Sequence, residues 1–215
     1  MFETVILYVE LNHVQKDFDS LICLVSFEKQ QRIKRFHFIQ DAWNCLLGDI
    51  VARVELCRAT GLSSKHLEFS TNTYGKPFLL NSPHIHFNIS HAGNFIACAV
   101  ADEPVGIDIE LIKPIDMKIA ERFFAPDEVA YIMDDDSTHR FYEVWTKKES
   151  RIKWEGKGLS IPLPSFSVFD KNRQGVPTYH FIFQNNDAIC HVCSAKQTLP
   201  SVRFMDAASF IKNIV

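Results

Sequence analysis

The sequence predicts a mixed α+β chain built from a unit used twice, and three observations lead there. Two long stretches carry apolar residues at helical spacing and end at glycine. In the first, Trp43, Leu46, Leu47, Ile50, Val54 and Cys57 share a face, Asp41 is the expected N-cap and Gly61 supplies a left-handed stop. In the second, Phe141, Trp145 and Ile152 align, and Gly156 or Gly158 ends the helix. Between them, "HIHFNISHAGNFIACAV" reads as a strand through Ile85, Phe87 and Ile89, a turn at His91–Asn94 and a returning strand. Finally, short matches recur at one offset: "TGLSS" from Thr60 as "KGLSI" from Lys157, and Phe69-Ser70 as Phe166-Ser167. "GKP" (75–77) returns as "GVP" (175–177) with a small extra shift, as a loop insertion produces. Each unit then reads helix, glycine stop, strand, Gly/Pro turn, strand. Asp116 to Asp136 is expected to be helical around "FFAPDE", with Asp127 capping and Glu128 in the first turn.

Bulk properties narrow the function classes. A chain of 215 residues is one large domain or two of roughly 100 residues each. Its 47% hydrophobic and 23% charged residues are ordinary globular composition. A net charge of −3 provides no global field for nucleic acid, so any anion site is local. "MFETVILYVELNH" lacks the features of a signal peptide, and no apolar run approaches spanning length, so a cytoplasmic, non-membrane protein is expected. The six cysteines fit reduced, buried thiols. "CHVC" at Cys190 to Cys193 lacks a second ligand pair, and His84, His86 and His91 lack a nearby carboxylate or cysteine, so neither group is assigned a metal.

"PVGIDIE" (104–110) poses a sharper question. Val105, Ile107 and Ile109 alternate with Gly106, Asp108 and Glu110, so the two carboxylates project side by side from one face of a strand. Like charges that close repel, and a charge near a core is costly. Glu149 adds a third carboxylate beside the inward stripe of the second helix, with Lys153 one turn later. By itself that pair is an ordinary i, i+4 ion pair. Taken together, Asp108, Glu110 and Glu149 are three hard oxygen donors suited to Mg²⁺, with Mn²⁺ the alternative ion, and Mg²⁺ commonly binds substrate phosphates as well. Local anion donors exist in Lys29, Arg32, Lys34 and Arg35, in Lys76, in Ser90 and His91, and in Lys153.

These segments resemble the 4′-phosphopantetheinyl transferases of the surfactin type. "YGKPFL" (74–79), "FNISHAG" (87–93), "VGIDIE" (105–110), "RFFAPDE" (122–128) and "WTKKESRIKWEGKGLS" (145–160) occur in that family's order and spacing, spanning about residues 25 to 170. The resemblance implies a pseudo-dimeric α+β fold of two similar α/β subdomains in one chain. It implies transfer of the phosphopantetheine arm of coenzyme A to a serine of an acyl or peptidyl carrier protein, releasing 3′,5′-ADP. On this reading residues 1–104 form an N-terminal subdomain contacting the nucleotide end, and 105–215 carry the metal site and catalytic helix. Asp108, Glu110 and Glu149 are implied metal ligands, and Glu149 the group that activates the serine hydroxyl. Lys153 is implied at the diphosphate, where it stabilises transition-state charge. Ser90 also matches a diphosphate contact, His91 with Lys29 or Arg32 the 3′-phosphate, Lys76 the adenine end, and Glu128 an acidic position near the metal.

Some positions depart from the family pattern. Asn44 stands where an arginine is common and Cys45 where a hydroxyl is common, which weakens expected nucleotide contacts from the first helix. Ser150 and Arg151 replace residues more often small and apolar, which is tolerable if their face is solvent-exposed. The resemblance implies carrier contacts around the cleft between the halves, with Phe123–Phe124 and the helix after Asp127 as candidates and a core place for the two phenylalanines the equal alternative, through a modest, transient interface. A monomer is expected. Two other functions fit the same carboxylates: a Mg²⁺-dependent phosphohydrolase acting on a nucleotide-containing diphosphate, and a non-catalytic coenzyme A binding module. The first lacks a recognisable phosphate loop, and the second has no need of mutually repelling carboxylates.

Overall fold

The computed structural model describes residues 1–170, 177–185 and 187–214. The chain begins with strand β1 (Phe2–Tyr8), followed by helices α1 (Leu11–Val14), α2 (Phe18–Ile22), α3 (Phe27–Ile33) and α4 (Ile39–Thr60). Strands β2 (Phe69–Thr71), β3 (Pro77–Leu79), β4 (His86–Ala92), β5 (Phe95–Ala101) and β6 (Val105–Leu111) come next. Helices α5 (Lys118–Phe123), α6 (Pro126–Asp134) and α7 (Ser137–Glu155) precede β7 (Thr178–Gln184), β8 (Ala188–Ser194), β9 (Ser201–Asp206) and α8 (Ala207–Lys212).

Local chemistry explains the element ends. Gly61 and Gly156 take left-handed φ values of 73° and 68° and stop α4 and α7, so Gly156 rather than Gly158 is the terminator. Asp41 is not a cap: α4 starts two residues earlier, after Phe38, and Asp41 lies in its first turn. Asp127 does not cap α6 either. Ala125 holds the cap position, its N–H donates to Glu128 Oε2 at 2.8 Å, and Asp127 accepts from Ser167 Oγ.

Two sheets stack around a shared core. The first runs β4-β5-β1-β9, with β1 parallel to β9 and antiparallel to β5. The second runs β6-β8-β7, all antiparallel, and β2 pairs with β3 in a two-stranded sheet. α4 covers the outer face of the first sheet through Trp43, Leu46, Leu47 and Ile50. The inner faces meet through Ala97, Ala99 and Ala101 of β5 against Val105, Ile107 and Ile109 of β6; the alanines let the layers approach closely. Side chains of β4 also join the sheets, since Asn88 Oδ1 accepts from Ile107 N at 2.9 Å.

The second copy of the repeated pattern diverges. Phe69-Ser70 lies in β2, but Phe166-Ser167 is in no strand. That segment spends its backbone elsewhere: Phe166 O accepts from Lys148 Nζ at 2.6 Å, and Val168 N donates to Glu128 Oε1 at 2.8 Å. Gly175 and Val176 of the "GVP" match lie outside the described residues. The chain also returns to its start: β9 joins the first sheet, and Ala207, Phe210 and Ile211 of α8 enter the core beneath α4.

Candidate active site

The period-2 pattern of β6 acts as the sequence implies. Its apolar residues face the inter-sheet core, and Gly106, Asp108 and Glu110 face α7. Gly106 lets the helix come down onto the strand: a Cβ there would lie 2.0 Å from Ser150 O and 2.4 Å from Trp154 N. Ser150 is therefore fully buried rather than solvent-facing, and its Oγ turns back to Lys147 O. Arg151 is half-buried, with its guanidinium over the Phe166 ring.

This close approach brings Glu149 and Lys153 to Asp108 and Glu110. Lys153 Nζ lies 2.6 Å from Asp108 Oδ1 and donates to Ser90 Oγ at 2.9 Å, while Ser90 Oγ donates to Asp108 Oδ1 at 3.1 Å. Asp108 Oδ2 is buried and has no partner. Burial raises the pKa of Asp108, against the pull of Lys153 and Ser90. Burial and the Asp108 charge push Glu110 up to about 7, with Glu149 adding to the effect and a hydrogen bond from Trp145 opposing it. Glu149 is raised by burial and by Asp108. The charges of Asp108 and Glu149 thus reach Glu110, and that of Asp108 reaches Glu149.

Among the described residues, no three His, Cys, Asp or Glu side chains are grouped to hold a metal ion. Uncompensated carboxylates repel, and the Lys153 ammonium partly neutralises Asp108 in their place. The donor chemistry still suits a hard cation: three oxygen-bearing groups, a buried orphan oxygen on Asp108, and proton affinities raised chiefly by burial, with the Asp108 charge adding to those of Glu110 and Glu149.

The anion-binding candidates divide into two sets. His91, near the end of β4, has its pKa lowered by partial burial and by the Lys153 and Arg32 cations. Arg32 and Lys29 line a cleft of about 980 Å³ between α3, α4 and β2–β3. Arg32 is exposed, whereas Lys29 Nζ sits 3.3 Å from Asp49 Oδ1. Lys76 does not offer a free ammonium: its Nζ donates to Lys153 O, Val105 O and Trp154 O. A smaller cleft of about 220 Å³ opens beside it, lined in part by Tyr74, Pro77, Asn88 and Lys153.

Other expected positions prove structural. Glu128 is fully buried, 2.8 Å from the equally buried Lys148 Nζ, so its carboxylate is occupied. Asn44 is buried and donates to Gly93 O at 2.9 Å, tying α4 to the β4–β5 turn. Cys45 is half-buried, and burial raises its thiol pKa. Cys23 is exposed, contrary to the expectation of buried thiols, and Cys190 and Cys193 are buried in β8. Phe124 is core, stacked on Phe141 at 5.3 Å, whereas Phe123 is partly exposed.

Sequence reasoning missed the Lys148–Glu128 pair, the Trp145 bond to Glu110 and His191, which stands opposite Asp108 on β8. Lys148 had a readable signal: it falls on the stripe of Phe141 and Ile152, where a charge needs a partner. His191 is buried, contacts Thr146 Oγ1 through Nδ1 at 2.8 Å, and burial lowers its pKa to about 3.

Comparison with known proteins decides the family. A family model described as the 4′-phosphopantetheinyl transferase superfamily matches residues 104–208, and one described as 4′-phosphopantetheinyl transferase, N-terminal, matches residues 11–103. The 4′-phosphopantetheinyl transferase Sfp of Bacillus subtilis (strain 168) is 42% identical over 165 residues, covering 75% of this chain and 74% of that protein. The chain belongs to the 4′-phosphopantetheinyl transferase family. A second Bacillus subtilis 4′-phosphopantetheinyl transferase is 45% identical over 153 residues, 70% of this chain and 68% of its own length. The gsp enzyme of Aneurinibacillus migulanus, of the same name, is 42% identical over 165 residues, 75% and 68% of the two chains. This transferase is an enzyme of mixed α+β fold, and no helix among its described residues is long and apolar enough to cross a membrane.

Proposed function

We propose that this transferase moves the 4′-phosphopantetheine group of coenzyme A onto a serine hydroxyl of an acyl or peptidyl carrier protein, with 3′,5′-ADP as the leaving group. The observation that carries the reading is the Asp108–Ser90–Lys153 cluster beside Glu110 and Glu149. Paired carboxylates and a lysine at one point suit phosphoryl transfer, where catalysis is chiefly positioning and charge stabilisation.

In this reading the serine oxygen attacks the phosphorus bearing the pantetheine arm, and the bond to the oxygen of 3′,5′-ADP breaks. Glu149 takes the serine proton, a role helped by its raised pKa. Lys153 stabilises charge on the departing 5′-phosphate oxygens of 3′,5′-ADP, and Ser90 Oγ orients them. Asp108, Glu110 and Glu149 would hold Mg²⁺ or Mn²⁺, which when bound would neutralise diphosphate charge. His91 and Arg32, with Lys29 once released from Asp49, would receive the 3′-phosphate.

The finer architecture belongs to the same proposal. Residues 1–104 and 105–215 form the two halves of a pseudo-dimer, with residues 201–214 crossing back to the first half. The enzyme acts as a cytoplasmic monomer.

The test is a panel of apo carrier proteins incubated with enzyme, Mg²⁺ and coenzyme A. Each modified carrier should gain the mass of one phosphopantetheine, with 3′,5′-ADP released only when carrier is present. Glu149→Gln should lower kcat by roughly 10²–10⁴-fold while retaining the fold. No mass gain across the panel, beside a working control enzyme, overturns the proposal. Release of inorganic phosphate without carrier would point to the phosphohydrolase instead.

A further inference from the structure

The turn between β2 and β3 docks on the last turn of α7. Asn72 Nδ2 donates to Gly156 O at 2.7 Å, and Asn72 Oδ1 accepts from the N–H groups of Tyr74 and Lys76, both at 2.9 Å. This fixes the origin of the Lys76 side chain. Its Nζ then donates to Lys153 O at 2.5 Å, Val105 O at 3.0 Å and Trp154 O at 3.2 Å. An ammonium has three protons, and here all three go to main-chain carbonyls.

Those carbonyls come from the two elements that build the site. Lys153 O and Trp154 O are among the last four of α7, which have no donor within the helix. Val105 O belongs to the first residue of β6, three residues before Asp108. Gly156 completes the fit, since a Cβ there would lie 2.8 Å from Lys76 Cδ. Left alone, a terminal helical turn frays, and Lys153 sits in that turn. Its ammonium must nonetheless reach Asp108 Oδ1 and Ser90 Oγ together.

We propose that Lys76 is a positioning residue for phosphopantetheine transfer: by clamping the end of α7 to the start of β6, it sets where the Lys153 ammonium meets Asp108. The inference rests on the transferase reading above. It differs from a role at the nucleotide, because a ligand reached by Lys76 Nζ would have to displace one of three carbonyls. The low polarity around the ammonium, which brings its pKa down to about 8, is in keeping with a cation held by dipoles alone.

The test compares wild type, Lys76→Met, Lys153→Ala and the double variant, reading kcat and KM for coenzyme A in the carrier assay. Lys76→Met should lower kcat about 100-fold, the scale of a misplacement near 1 Å. KM should stay within about twofold. In the Lys153→Ala background the same change should cost little more, because the group it positions is already gone. Lys76→Arg should recover part of kcat. A raised KM with kcat preserved, or equal fold-losses in both backgrounds, overturns the proposal. Amide hydrogen exchange over residues 150–158 gives a readout independent of activity: Lys76→Met should accelerate it, and unchanged exchange overturns the clamp. If wild type transfers nothing, the transferase reading fails while this exchange test still decides the clamp. Should Lys76→Met not fold, Asn72→Ala carries both measurements with smaller effects of the same kind.

Discussion

Lys153 Nζ lies 2.6 Å from Asp108 Oδ1, while the other oxygen of that carboxylate is buried without a partner. One oxygen of the carboxylate is neutralised by the protein and the other is left without a donor. The arrangement suits a site that must stay folded without its substrate yet accept further positive charge. It also makes Lys153 a stabilising residue.

Lys153→Met should therefore destabilise the protein, by about 1–3 kcal/mol, since it leaves a buried carboxylate with Ser90 as its remaining side-chain donor. Losing the lysine raises the folded-state pKa of Asp108 further above its unfolded value. A carboxyl so raised loses its stabilising contribution as pH rises, so the deficit should be larger at pH 8 than at pH 5. Adding Asp108→Asn should recover part of it. Urea denaturation of wild type, Lys153→Met, Asp108→Asn and the double variant checks this, and strictly additive losses would sink it.

Gly106→Ala should be costly although the change is one methyl. The new Cβ meets the backbone of α7 at Ser150 O and Trp154 N, and backbone cannot swing aside as a side-chain end does. The helix must lift from β6, at about 3 kcal/mol. It carries Glu149 and Lys153 with it, so kcat should fall about 100-fold in whatever fraction remains folded. Thermal melts and steady-state kinetics on the soluble variant read both effects; near-wild-type kcat contradicts the account.

The Lys148–Glu128 pair should behave as a buried structural charge pair. Both side chains are fully buried, Lys148 also donates to Leu163 O and Phe166 O, and Glu128 also accepts from Ala125 N and Val168 N. Glu128→Ala strands an ammonium and should cost about 3–5 kcal/mol. The double variant Glu128→Leu with Lys148→Met should regain much of that loss. A double variant less stable than Glu128→Ala alone argues that the hydrogen bonds, rather than the charges, dominate.

His191 predicts part of the acid sensitivity. Its pKa is near 3 in the folded protein against an ordinary value of 6.5, because burial disfavours the charged ring. With the folded value depressed, the unfolded chain binds more protons below pH 6.5. The neutral ring's contribution is complete above that pH and is lost as pH falls toward 3. The expected slope is about 1.4 kcal/mol per pH unit across that window. His191→Asn keeps a side-chain amide donor near Thr146 Oγ1 and should flatten the slope in acid denaturation. An unchanged slope assigns the sensitivity to other groups.

What this chain's sequence settled by itself is local. Gly61 and Gly156 end their helices because a left-handed residue is needed at that point and glycine meets the need without strain. The alternation in 105–110 puts Asp108 and Glu110 on one side because successive strand residues face opposite ways. The spacing of Glu149 and Lys153 puts both on one helical face for the same kind of reason. Where a charge finds its partner is a different matter. Lys76 reads as an anion donor and spends its protons on carbonyls 29 to 78 residues away. Glu128 reads as a site carboxylate and is paired instead with Lys148 of the following helix. Whether Ser150 faces solvent is open in the sequence, and it is buried because Gly106, on another element, lets the helix come down. The second "FS" match reads as a strand, yet its backbone serves a buried ion pair. Each of these depends on which distant donor or surface folding brings within about 3 Å, and no local period encodes that distance.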